Sequence, residues 1–360
     1  VLNRRELIQA IVGGVVLSGS LGCTSLTANN GLRSTSTNLL IGSTQNDQGE
    51  HAVTAIDSTG KMVFQTPLRA RGHGFAHHAE HNHLAVFARR PGQYVEIIDA
   101  YTGQQITTID ATSKRFFYGH GVYSEDGRRL FVSEGVTETC EGVIGVYAAD
   151  SDYRKVGEIA IDGIGPHQIA RLSGDRLVVA VGGIHTKGRE KTNLDTMSPS
   201  LNYYHFDGTF IERQSLDLSQ LSIRHLDVAA DDTVFFAVQY QDNDPLFEPL
   251  VWSHQLGKKP MPLSASATQW LDCKGYIGSV MTNKHSVIAT SPVGNQLLEF
   301  DRGTLAIKRV IQIPDVCGVA TNETQGFVST GFGNVEQIQR GVMRTVHHSA
   351  LKWDNHLIWV

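Results

Sequence analysis

An all-β fold is the class this sequence predicts, on three observations. From residue 39 onward, short β-branched or aromatic runs alternate with breaks of Gly, Asp, Asn and Ser. No apolar stripe with a 3.6-residue period is sustained. Similar units recur every roughly 40–58 residues, the spacing of four-stranded propeller blades. Composition agrees: of 360 residues 41% are hydrophobic and 19% charged, with 36 glycines and a formal net charge of −5. Such a chain folds around a large core, and its charge balance gives no ground for nucleic acid or anionic lipid as a partner. Four cysteines are too few for a disulfide scaffold, whereas 16 histidines ask for an explanation.

Residues 1–22 precede the fold. Asn3-Arg4-Arg5-Glu6-Leu7-Ile8-Gln9 leads into an apolar, Gly-rich run from Ala10 to Gly22, which resembles a twin-arginine export signal and is shorter than the ~20 apolar residues that span a bilayer. Cys23 stands where a lipoprotein is acylated, with Ser20 in the place leucine usually holds; ordinary cleavage nearby is the alternative. Residues 23–38 read as a flexible tether. The expected location is the periplasm, with membrane contact only through a lipid at Cys23.

The strands then follow in order. Leu39-Leu40-Ile41-Gly42-Ser43 is a second strand with no first strand before it. Gly72-His73-Gly74-Phe75 pairs with 84–87. The clearest copy is Gly119-His120-Gly121-Val122-Tyr123, an Asp126-Gly127 turn and 130–133. Pro166-His167-Gln168-Ile169 with 177–180, and Arg224-His225-Leu226-Asp227 with 234–237, repeat the unit. Weaker copies start at Tyr276-Ile277-Gly278 with 287–290 and at Val316-Cys317-Gly318 with 326–329. Counting second strands gives seven, and Trp353-Asp354-Asn355-His356-Leu357-Ile358-Trp359 fits the missing first strand. Pairing it into the N-terminal blade leaves no sheet edge open. The predicted architecture is a seven-bladed β-propeller over 39–360.

Aligned on their glycines, the first strands place His73, His120, His167, His225, Ile277, Cys317 and His356 in one column. First strands line the central channel, and equal register gives equal facing because strand side chains alternate with period 2. His73, His120, His167, His225, Cys317 and His356 meeting at one mouth of the channel would suit a borderline or soft transition metal: copper, iron or zinc. Against this stands the ordinary role of Gly-His in such strands, an imidazole hydrogen-bonded to the neighbouring blade.

Links between second and third strands leave on the same face. The longest, 182–200, carries Lys187, Arg189, Lys191, Asp195 and Met197, and at roughly 18 residues it is a candidate lid. Arg89, Arg90 and Arg224, together with Asp195, are candidates for holding an anionic cofactor or docking partner; a solvated rim is the alternative. The tract His77-His78-Ala79-Glu80-His81-Asn82-His83 is expected in a solvated turn on the opposite face, outside the metal site. With Cys23 acylated, Cys140 pairing with Cys273 would leave Cys317 free.

Tyr118-Gly119-His120-Gly121, Gly163-Ile164-Gly165-Pro166-His167, Gly182-Gly183-Ile184, Asn193-Leu194-Asp195-Thr196-Met197, Leu221-Ser222-Ile223-Arg224-His225, Asp315-Val316-Cys317-Gly318 and Trp353-Asp354-Asn355-His356 resemble the bacterial family called domain of unknown function 1513, over about residues 40–360. The resemblance implies an exported seven-bladed propeller, often encoded near imelysin-like and dihaem-peroxidase-like proteins in iron-responsive clusters, and brings no established reaction. The architecture is also similar to the propeller of nitrous oxide reductase, where hub histidines hold a copper cluster. The expected function is periplasmic binding of iron or copper in support of metal-uptake or redox partners. An interaction scaffold with structural histidines is the alternative. Enzyme chemistry ranks last, since the sequence has no Gly-x-Ser-x-Gly elbow, His-Glu-x-x-His helix, Cys-x-x-Cys-His haem site or phosphate loop.

Overall fold

The structure, a computed structural model, describes residues 38–360 apart from 79, 188, 189, 323, 324 and 340. The expected export signal, Cys23 and nearly all of the tether lie outside the described residues. Seven four-stranded antiparallel sheets follow one another as the blades of a propeller among the described residues. Their inner strands, in blade order, are Lys352–Trp359, Gly72–His78, Arg115–Tyr123, Pro166–Leu172, Leu221–Val228, Ser279–Thr282 and Val316–Thr321. The first blade closes as expected. Leu39–Gln45 pairs with His51–Asp57 on one side and with Lys352–Trp359 on the other, Gly42 lying opposite Leu357 and Thr44 opposite Trp353. That pairing satisfies backbone groups that would otherwise form an open edge.

The core lies between blades, which is why the second and third strands read as near-continuous apolar runs. Phe87, Val95 and Ile97 of the second blade pack with Phe117, Leu130 and Val132 of the third. Leu40 and Ile56 of the first meet Ala320, Phe327 and Val335 of the seventh across the closure. Outer strands such as Met62–Leu68 and Val342–His348 are the least buried, and leave Met62, Val63, Val342 and Met343 exposed.

Local chemistry departs from the all-β reading in two places. Ala267–Asp272 is an α-helix, because Ser266 and Gln269 form a capping box at its start and Trp270 is buried, stacked on Phe300. The segment 182–200, expected without strands, carries a small hairpin of Thr186–Lys187 with Glu190–Lys191 and a 3-10 turn at Leu194–Thr196. The expected Cys140–Cys273 bridge is also corrected: both thiols are free and buried, as is Cys317. Cys140 donates to Thr186 O at 3.3 Å in the third blade, whereas Cys273 accepts from Gln296 Nε2 at 3.1 Å in the sixth.

Candidate metal centre

Six of the seven inner strands break register once. The irregularity falls between Gly72 and Phe75, Phe117 and Gly121, Pro166 and Ile169, Ile223 and His225, Val316 and Val319, and Trp353 and Leu357. Strand Ser279–Thr282, whose upstream neighbour is Ile277 and not a histidine, pairs without one. Each irregular segment contains or abuts the residue of the predicted column. A bulge bends its strand and re-aims one side chain, so local bulging, more than strict alternation, turns these residues from the blade toward the axis.

Five imidazoles converge there. Successive ring centroids are 4.8 Å apart for His73 and His120, 4.7 Å for His120 and His167, 4.9 Å for His167 and His225, 4.8 Å for His225 and His356, and 4.6 Å for His356 and His73. A metal bound at about 2.0–2.1 Å from each nitrogen would hold adjacent ring centroids about 4.4–5.2 Å apart. The observed spacing fits that range. Two sets of three ring nitrogens lie within 4.8 Å of one another: His73, His120 and His356, and His120, His167 and His225. His120 belongs to both.

Glycines make this crowding feasible. A Cβ at Gly74 would stand 2.5 Å from Gly119 O and 2.6 Å from His120 Nδ1, and one at Gly119, where φ is +99°, would stand 2.9 Å from the His73 ring. The Gly-His-Gly strings thus seat each ring against the backbone of the adjoining blade. Gly74→Ala is expected to cost about 1–3 kcal/mol and to move His120 off the axis. Thermal denaturation checks this, and an unchanged melting curve would contradict it.

The electrostatics leave the rings neutral. Burial, reinforced by neighbouring imidazoles, holds His120, His167, His225 and His356 well below the ordinary imidazole value, and burial also lowers His73 in spite of its bond to Asp354. Each therefore offers a lone pair at pH 7. His120 Nε2, His167 Nδ1 and His356 Nε2 have no hydrogen-bond partner, which satisfied structural histidines would not show.

Two rings are oriented from outside. His73 Nδ1 lies 3.2 Å from Asp354 Oδ1, and His225 Nδ1 lies 3.3 Å from Gln168 Oε1. Gln168 is itself fixed, donating to Leu226 O at 2.7 Å and accepting from Leu226 N at 3.3 Å. Each Nδ1–H thus donates outward and leaves Nε2 as the ligating atom, the usual support for a metal-bound histidine. Burial alone would raise Asp354, but hydrogen bonds from His73 and Arg71 keep its carboxylate far below the usual range.

Cys317 departs from the expectation. Its thiol donates to Asp315 O at 3.1 Å and lines a separate cavity with Arg71, Asp315 and Asp354, and it belongs to neither imidazole set. The reason is reach: sulfur sits one bond beyond Cβ, where an imidazole projects across the hub, and burial pushes the thiol far above its ordinary value.

The arginines do gather at this mouth. Arg89 lies close enough to His73 and His356 to depress both. Arg90 donates from Nη1 to Thr186 Oγ1 at 2.9 Å. Arg224 is buried and pulled down to about 10 by that burial and by Arg90. Asp195 is not with them. It sits on the exposed turn Leu194–Thr196, solvated, and among the described residues no hydrogen bond or ion pair joins it to an arginine. Three residues of the site were not singled out from sequence: Gln168 and Asp354, which orient the rings, and Tyr118. Asp354 stood two positions from His356, a carboxylate–histidine spacing that was available as a signal.

The second histidine tract is less solvated than expected. Strand Gly72–His78 continues through His77 and His78, and His78 is buried, its ring filling the space a Cβ at Gly127 would need. Both residues line a cavity of about 470 Å³ that also touches His120, Gln168 and Asp227. The channel beyond the five rings thus opens toward this tract.

Chains of known structure share the fold. Hydrazine synthase of Kuenenia stuttgartiensis is similar with a TM-score of 0.61 and 15% identity, over 83% of this chain and 95% of that one. A chain of a nidogen/laminin complex gives 0.51 and 14%, over 76% and 93%. BamB of Moraxella catarrhalis gives 0.50 and 12%, over 84% and 80%. At such identities the likeness concerns the fold alone. Comparison with curated proteins gives no match. The family model described as protein of unknown function (DUF1513) matches residues 66–360.

Proposed function

Because the chain belongs to the DUF1513 family, whose description assigns no reaction, we propose its function from the geometry of the hub: a periplasmic metal-binding propeller that holds iron or copper on its axial histidines and serves metal-uptake or redox partner proteins. The observation that carries this reading is the set of five buried, neutral imidazoles, three of them with a ring nitrogen that has no protein partner. Imidazole donors suit copper and iron as well as zinc, and such an ion supplies a Lewis-acid or one-electron redox centre when bound. His73, His120 and His356 form one donor set and His120, His167 and His225 the other. Asp354 and Gln168 hold the tautomers of His73 and His225.

The test is a titration of untagged, chelator-stripped protein with copper, iron and zinc, followed by gel filtration and elemental analysis. Retention of copper or iron by the wild type, lost in the double variant His120→Ala and His167→Ala, is the expected result. No retained metal, or equal retention by that variant, rejects the reading and leaves the scaffold alternative.

A further inference from the structure

Directly beside the histidines the protein buries a positive charge without a counter-charge. Arg224 is 8% exposed, its Nε has no hydrogen-bond partner, and among the described residues it forms no ion pair. A guanidinium in that state is strongly unfavourable unless something of opposite charge completes it. The nearest charged neighbours make matters worse, since Arg90 and the Lys191 ammonium both lie within electrostatic reach and carry the same sign.

The surroundings have the form of a binding site. Gly182 packs on the guanidinium, a Cβ there falling 3.3 Å from Arg224 Cζ. Gly182 N donates to Gly165 O at 2.9 Å, and a Cβ at Gly165 would lie 3.8 Å from the Tyr118 hydroxyl. That hydroxyl is also buried; it makes no hydrogen bond of ordinary geometry, and the Cys140 thiol lies beside it. Arg90 and Lys191 are anchored around the same spot, the first on Thr186 Oγ1 at 2.9 Å and the second on Gln241 Oε1 at 2.6 Å. A guanidinium with a buried, unpartnered Nε and a phenol whose hydroxyl has only a weakly bonding thiol beside it, flanked by two further cations on loops that glycines bring close, match what an anionic oxygen ligand requires.

We propose that Arg224, Tyr118, Arg90 and Lys191 form a binding site for a small oxyanion, of the carboxylate or phosphate class, at the mouth that carries the five histidines. The site stands on its own residues and needs no metal. With metal present, the anion would lie beside the ion and offset the positive charge of the mouth, so cargo arriving as an anionic chelate would meet both halves of the site.

The experiment uses chelator-stripped wild-type protein, which separates its failure from failure of the metal reading. Thermal denaturation and calorimetry are run with phosphate, citrate and acetate against sodium chloride of matched ionic strength. A rise in melting temperature and saturable binding with at least one oxyanion is expected. Phosphate acting alone assigns a tetrahedral ligand, citrate or acetate acting alone a carboxylate, and either supports the proposal. Arg224→Gln is expected to weaken that binding at least tenfold, while in chloride alone it melts no lower than wild type because an uncompensated charge has been removed. Should that variant fail to fold, Lys191→Gln, on an exposed side chain, is expected to weaken binding several-fold. Stabilisation by none of the oxyanions beyond the chloride control, or stabilisation undiminished in every folded variant, overturns the proposal.

Discussion

Metal-free protein is expected to lose much of its stability between pH 7 and pH 5.5. His120, His167, His225 and His356 are held well below the ordinary imidazole value of 6.5 in the folded chain, first by burial and then by neighbouring charges. In the unfolded chain they titrate near 6.5. The unfolded state therefore binds more protons below that value, and stability falls as pH falls, beginning at the unfolded value and ending only at the lower folded ones. All four rings act in the same direction through this window, so their losses reinforce one another. Asp354 does not soften this edge, because its carboxylate remains ionised in both states until the pH approaches 3.8. Melting temperatures in chelator should be level above pH 7 and drop steeply below 6.5, and saturating metal should move the drop to lower pH. A flat profile down to pH 5 would show that the rings carry their protons in the folded protein.

The blades were legible because each repeats a local pattern of strand, turn and strand that backbone chemistry alone dictates, and the closure was legible because Trp353 to Trp359 had no other partner in the count. The hub was legible as a column of residues, though for an incomplete reason. Alternation along a strand predicts a shared face, whereas here register breaks at Gly72 to Phe75 and its counterparts supply the final turn of each ring. Such breaks depend on how an inner strand meets the rest of its blade, which no short window of sequence reports. Cys317 shows the consequence: it shares the column and the break, yet its short side chain stays with Asp315. The helix at Ala267–Asp272 is the opposite case. Ser266 and Gln269 signal it locally, but six residues are too few for an apolar period to emerge. In the gathering of Tyr118, Arg90, Lys191 and Arg224, which joins the second, third, fourth and fifth blades, the arginines and the loop of Lys191 were legible from the face their elements share, whereas distance along the chain hides the part of Tyr118. The same holds for the support that Asp354, near the C-terminal end, gives to His73.

Replacing His120 is expected to affect metal binding more than replacing any other ring. It alone belongs to both nitrogen triads, so His120→Ala leaves neither intact, whereas His167→Ala leaves His73, His120 and His356, and His356→Ala leaves His120, His167 and His225. Loss of a ligand costs more than the 10–100-fold typical of an outer-shell partner. His120→Ala should therefore weaken binding by more than about 100-fold, while His167→Ala and His356→Ala each retain one three-imidazole set and fall less far. Competition with a chelator of known affinity gives the ranking. Melting curves in chelator separate ligation from folding: His120→Ala leaves a cavity, but it also removes a buried nitrogen that has no partner, so part of the packing loss is offset. The variant should also unfold in acid with one fewer proton in the slope, because one neutral buried ring has gone. Equal affinities across the three variants would mean that the ion depends on His120 no more than on its neighbours, and that the two triads are not the binding units.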